Sequence, residues 1–83
     1  MNLQEYRAQI DTIDDQITDL LKRRFALSQK IGEYKKQNGI PVSDNTREEE
    51  ILARAGEKSG DLFALITAVY QTILEQSKKV QNK

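Results

Sequence analysis

An all-α fold built around one very long helix is what this chain predicts, and three observations carry that expectation. Apolar residues recur at helical spacing throughout, and nowhere does the chain alternate as a half-buried strand would. Leu3, Ile10, Ile17, Arg24 and Ile31 repeat every seven residues, with Tyr6, Ile13, Leu20, Leu27 and Tyr34 repeating beside them as an a/d seam. A helix of about 36 residues is roughly 54 Å long, whereas a compact chain of this length is only about 30 Å across. Such a helix needs partners from outside its own chain.

The first helix starts near Asn2, an N-cap with Glu5 three residues on, and runs to about Gln37. Asn38-Gly39 supplies the stop and Ile40-Pro41 forbids continuation. Gly32 lies inside this helix, where it costs about 1 kcal/mol relative to alanine; a close helix contact or a nearby ligand would explain it. The second helix begins around Ser43 to Asn45. Asp44, Glu48, Glu49 and Glu50 crowd its first turns, which suits the positive end of the helix dipole. It is expected to end by Gly56 after roughly three turns, with Gly56 to Gly60 as a tight connection. Ser59 or Asp61 then caps a third helix reaching about Gln81, with Leu62, Leu65, Ile66, Val69, Tyr70, Ile73 and Leu74 as its buried stripe.

Composition narrows the function classes. At 83 residues, with 37% hydrophobic and 6% aromatic content, the chain is thin for a self-sufficient monomer, which again points to burial in an oligomer. Thirteen basic and thirteen acidic residues cancel, so there is no general electrostatic footprint for nucleic acid, and any anion recognition must be local. There is no cysteine for a disulfide or thiolate metal site, and no histidine to serve as ligand or as the usual general base near neutral pH. MNLQEYRAQI has neither the basic nor the apolar region of a signal peptide, and no apolar run approaches membrane-spanning length. A soluble cytoplasmic protein that does not act on membranes is expected.

Arg24 stands in the seam where an aliphatic residue belongs. Desolvating a guanidinium without a partner costs several kcal/mol, so a protein carboxylate or an anionic ligand should meet it, unless it is a polar residue that sets the register of a coiled coil. Arg24 and Lys35 are eleven residues apart, which separates them by about 20° around the helix and about 16 Å along it. Two long side chains so placed can grip one small dianion. Arg7 shares the broad face but lies about 25 Å from Arg24 and about 42 Å from Lys35. It cannot serve the same ligand from the same straight helix, but an antiparallel symmetry mate would bring it to the far half of the other chain. Flanking charges such as Arg7 and Lys35 also make interhelical pairs or snorkel. Asp44, Arg47 and Glu48 cluster at a helix start, where capping and ion pairs explain them equally. Ser77 and Gln81 put polar groups where the apolar stripe of the last helix should continue, or else mark its fraying end.

Taken together, Arg7-x16-Arg24-x10-Lys35, Pro41-Val42-x-Asp44-x2-Arg47-Glu48 and Ser77-x3-Gln81 closely resemble the all-helical (type II) chorismate mutases. The frame Ile10-x2-Ile13-Asp14-x2-Ile17-x2-Leu20-Leu21 and the Ile31-Gly32-x2-Lys35 end fit as well. The resemblance spans essentially the whole chain and is ungapped from Arg7 through Glu48, with a connection between the second and third helices shorter than in some relatives. It implies a single chorismate mutase domain over residues 1–83, three helices per chain and an intertwined homodimer with antiparallel long helices. It also implies two equivalent sites, each taking Arg7 from the neighbouring subunit. The implied reaction is the [3,3] Claisen rearrangement of chorismate to prephenate in phenylalanine and tyrosine biosynthesis. No cofactor or metal is implied.

By the same resemblance, Arg7 of the partner chain and Arg24 bind the substrate carboxylates. Lys35 and Gln81 donate to the ether oxygen, Lys35 being the main electrostatic contributor. Glu48 and the backbone near Asp44 take the ring hydroxyl, and Arg47 and Ser77 support the carboxylate end. The catalytic set is thus Arg24, Lys35 and Gln81. Some relatives carry at position 81 a glutamate that must be protonated to donate; an amide donates at any pH. Two other functions fit the same residues: an isochorismate-pyruvate lyase of the same fold, and a non-enzymatic helical dimerisation module in which Arg24 fixes register. Activation by another enzyme of the pathway is a further reading, and feedback control within the chain is not expected.

Overall fold

A computed structural model describes residues 1–83. The chain is all-helical, without strands: α1 (Leu3–Gln37), α2 (Asn45–Ser59), a 3₁₀ turn (Gly60–Leu62) and α3 (Phe63–Gln81). The first helix has the expected bounds because both of its ends are coded locally. The Asn2 side chain accepts the Glu5 N–H at 2.9 Å. At the other end Gly39 adopts φ 65° and the Ile40 N–H donates to the Lys35 carbonyl at 2.8 Å. That bond across a left-handed glycine is a Schellman cap. With Pro41 next, the chain cannot resume the helix and is turned back over Lys35.

The second half corrects the expectation of separate helices joined by a glycine-bounded connection. Residues 3–37 and 45–81 form two uninterrupted helical runs, and the second folds back on itself at Gly60. Gly56 lies inside α2, which therefore extends to Ser59, about four turns in all. Gly60 adopts φ 56° and ψ −128°, a conformation open to glycine and strained for other residues, and this single residue reverses the chain. Neither Ser59 nor Asp61 caps α3; the Ser59 hydroxyl donates to the Ala55 carbonyl instead. Gly56 has a packing reason: a Cβ there would lie 2.5 Å from the Phe63 ring, which crosses it just after the turn.

α3 packs against both α1 and α2, while α1 and α2 do not pack on each other. The result is an elongated body of 54 × 24 × 14 Å with a radius of gyration of 15.8 Å, against about 12 Å for a compact chain of this length. The face that α1 turns toward α3 carries Ser28 and Gly32, both buried, with Leu21 and Phe25 half-buried. The a/d seam runs beside that face, and most of it is left uncovered. Its apolar members range from Ile31 at 47% exposed to Tyr34 at 62%, and Leu74 is the one buried hydrophobic side chain of the chain. The expected α3 stripe divides in the same way: Ile66, Tyr70 and Ile73 are half-buried, whereas Leu62, Leu65 and Val69 remain exposed. Apolar surface on this scale marks an interaction face. No helix is long and apolar enough to cross a membrane.

Candidate functional site

Because α1 and α2 both rest on α3 without touching, the space between them is open. Its deeper part is a cleft of about 280 Å³ lined by Arg24, Leu27, Ser28, Ile31 and Lys35 of α1, Arg47 and Ile51 of α2, and Leu74, Ser77, Lys78 and Gln81 of α3. That volume suits a small molecule, near the lower end of ligand clefts at ~300 Å³. The wall carries four cations and no carboxylate. Arg47 pairs with Glu50 at 3.2 Å and Lys78 with Glu48 at 3.0 Å. Arg24 and Lys35 have no acidic partner, so the cleft presents an uncompensated positive field to whatever enters it.

The local fold fixes both side chains. The Schellman cap brings Val42 above Lys35, and the Lys35 ammonium donates to the Val42 carbonyl at 2.9 Å and to Gln81 Oε1 at 3.1 Å. An ammonium has three N–H donors and no acceptor, so one donor stays free. For the same reason Gln81 must turn its oxygen to Lys35, leaving its amide NH₂ as a second free donor beside the first. Arg24 donates through Nη1 to Ser77 Oγ at 2.5 Å. The seam arginine is therefore met by a hydroxyl, neither by a carboxylate nor by empty space, and the rest of its planar fork is available for an anion.

Gly32 has the close helix contact that its position in α1 suggested. A Cβ there would lie 2.6 Å from both Cα and O of Gln81. The absence of a side chain at 32 lets the last turn of α3 lie against α1, which is what holds Gln81 next to Lys35.

Of the residues singled out in the sequence, Arg24, Lys35, Arg47, Ser77 and Gln81 line the one cleft. Asp44 is the N-cap of α2, its carboxylate accepting the Arg47 N–H at 3.0 Å. Glu48 stands at the edge of the cleft, tied to Lys78. Arg7 is exposed near the start of α1 and is not among the residues lining the cleft. Lys78, Ser28 and Ile51 escaped the sequence reading, and Leu74 was expected only as part of the buried stripe of α3. Leu74, Lys78 and Gln81 follow at four- and three-residue steps on one face, so that spacing would have located Lys78; its pairing with Glu48 is a contact between elements that no local pattern encodes.

The family model described as chorismate mutase type II matches residues 6–82. The chorismate mutase of Methanocaldococcus jannaschii is 33% identical over 84 residues, covering 98% of this chain and 85% of that protein. The bifunctional chorismate mutase/prephenate dehydratase of Buchnera aphidicola subsp. Schizaphis graminum is 35% identical over 85 residues, covering 99% of this chain but 22% of that protein. This chain thus spans about a fifth of the bifunctional relative. A solved structure of a conserved hypothetical protein from Pyrococcus furiosus superposes with a TM-score of 0.83 and 44% identity, over 95% of this chain and 93% of that one. The family model covers nearly the full length, and the single-domain relative is matched over most of both chains: this chain belongs to the chorismate mutase type II family.

Proposed function

We propose that this domain converts chorismate to prephenate by a [3,3] Claisen rearrangement, as a homodimer in which each cleft is completed by Arg7 of the other subunit. The observation that carries the reading is the donor arrangement of the cleft: the Lys35 ammonium and the Gln81 amide side by side, Arg24 about three turns from Lys35 along the same helix, and no carboxylate lining the space. The reaction is pericyclic, so no proton is transferred and no covalent intermediate forms, which suits a chain without histidine or cysteine. Catalysis then needs only fixed geometry and charge aimed at the ether oxygen as its C–O bond breaks. The free donors of Lys35 and Gln81 supply that charge, while Arg24, with Arg47 and Ser77 behind it, holds the substrate carboxylates. Glu48 and the α2 N-terminus at Asp44 receive the ring hydroxyl. A million-fold acceleration asks for about 8 kcal/mol of differential stabilisation, within reach of several such donors acting together.

The exposed seam supports the dimer. Pairing two copies would cover the apolar side chains that the single chain leaves roughly half exposed, each worth on the order of 1 kcal/mol or more. The relative that joins such a domain to a prephenate dehydratase supports a place in aromatic amino-acid biosynthesis. Incubating the purified protein with chorismate and, separately, with isochorismate tests the reading. Prephenate from the first is expected; salicylate and pyruvate from the second, with no prephenate from the first, would assign the lyase reaction instead.

Two further results are expected. The rate of prephenate formation should be flat between about pH 6 and 9, because the amide of Gln81 has no proton to gain or lose in that range and donates throughout it; a sharp fall in kcat across that range with the dimer intact would remove Gln81 from the donor pair. Gly32→Ala brings two opposing effects. Alanine adds about 1 kcal/mol of helix propensity, whereas overpacking against the backbone of Gln81 costs about 1–3 kcal/mol. The clash falls on backbone atoms of the terminal turn of α3, not on a flexible side-chain tip, so overpacking should win and Tm should fall by roughly 5–10 °C. Gln81 moves with that turn, and kcat should fall about ten-fold; unchanged kcat would mean that the position of Gln81 is not critical.

A further inference from the structure

A second cleft, of about 230 Å³, continues the first toward the N-terminal half of α1 and is lined by Arg24, Arg47, Arg54, Lys58 and Tyr70 with Ile51 and Ala55. It too has no carboxylate, and Arg54 and Lys58 form no ion pair within the chain. The chain's own charge pattern supplies a counterpart. Residues 3–19 of α1 carry Glu5, Asp11, Asp14, Asp15 and Asp19 against the single base Arg7, whereas residues 20–37 carry six bases against Glu33. Two α1 helices laid antiparallel along their seams would set acidic half on basic half.

The register follows from direction and spacing. α2 runs back along α1, since Arg47 shares a cleft with Lys35 while Arg54 and Lys58 lie in the cleft beyond Arg24. An antiparallel α1 from a second copy therefore runs parallel to α2. Arg7 and Asp14 are seven residues apart, and so are Arg47 and Arg54; on each helix that is about 10 Å along the axis and within about 20° of the same face. An incoming Arg7 that lies beside Arg47 in the substrate cleft thus brings Asp14 of the same helix beside Arg54, with Lys58 one turn further on.

Resting on the shared-site reading above, we propose that Asp14 of each subunit pairs with Arg54 of the other and is the positioning residue that sets the register delivering Arg7 to the substrate. Asp14 touches no substrate. It acts by fixing how far the partner helix slides along the groove, and Lys58 adds a second cation to the same cleft.

Charge reversal tests this on the intact protein: wild type, Asp14→Arg, Arg54→Asp and the double variant, each measured for chorismate kinetics and for mass in solution. Each single reversal is expected to lower kcat/KM at least about ten-fold, mainly through KM because a displaced Arg7 weakens carboxylate binding. The double variant, with the pair restored in the opposite sense, should return to within about three-fold of wild type. That rescue is a result that a merely stabilising surface charge would not give. Should a single reversal dissociate the dimer, Asp14→Asn provides the milder change, expected to raise KM several-fold in a dimer. Single variants as active as wild type, or a double variant no better than the worse single one while both remain dimeric, would overturn the Asp14–Arg54 pairing alone. A wild-type protein that is fully active as a monomer would overturn the shared site itself, so the two failures are distinguishable.

Discussion

Lys35→Ala is expected to lower kcat by at least about a hundred-fold, the usual consequence of deleting one donor aimed at a developing oxyanion. The change removes a charge that the Schellman cap and Val42 hold in place, together with the bond that orients Gln81. On the proposed reading both donors toward the ether oxygen would be lost or misdirected by one substitution, which is why Lys35 should outrank Gln81 or Ser77. The stability loss should be modest, because Lys35 and both residues that accept from it are only half-buried, which keeps each bond below the upper end of the roughly 1.5–3 kcal/mol of a charged hydrogen bond. Steady-state kinetics beside thermal unfolding separates the two effects. A variant with near-normal kcat would move the chemistry away from this cleft.

Arg7→Ala should lower kcat/KM by about a hundred-fold or more. Truncating one partner of a desolvated charge pair costs about 2–5 kcal/mol, which is roughly 30- to several-thousand-fold at 1.4 kcal/mol per decade. Within one chain nothing accounts for such an effect. Arg7 is exposed, forms no ion pair with its own chain, and lies on a stretch of α1, residues 3–20, in which every residue is exposed. The circular dichroism of the variant should therefore match that of the wild type. Full activity in Arg7→Ala would confine the site to one chain and leave the seam as a purely structural contact.

How far these residues could be read from the sequence depended on whether their signals were local. Both ends of α1 were legible because Asn2, Gly39 and Pro41 act on the backbone within a few residues of themselves. The bend between α2 and α3 was not. Gly56 and Gly60 look alike in the sequence, yet one is small to admit the Phe63 ring and the other is glycine for its positive φ. The α3 stripe was over-read for a related reason: helical periodicity finds apolar positions but cannot divide them between the face packed on α1 and α2 and the face left open at Leu65 and Val69. Arg24 was conspicuous as a charge in an apolar seam, although its hydroxyl partner, Ser77, lies 53 residues away. Lys78 escaped because only its contact with Glu48, made between α3 and α2, gives it a role. Arg7 was the reverse case, since its distance from Lys35 along a rigid helix excluded it from its own chain's cleft before any side chain was placed.

The shared cleft is the central claim, and mixing two impaired variants tests it most directly. Arg7→Ala and Lys35→Ala, unfolded together and refolded at equal concentration, should form heterodimers as about half of all dimers, each with one site that has both its Lys35 and its neighbour's Arg7. Prephenate formation is then predicted to return to about a quarter of the wild-type rate per chain, far above either parent variant. A mixture that forms heterodimers yet shows no more activity than the average of the two parents would contradict the account, because Arg7 and Lys35 would then not meet across the dimer.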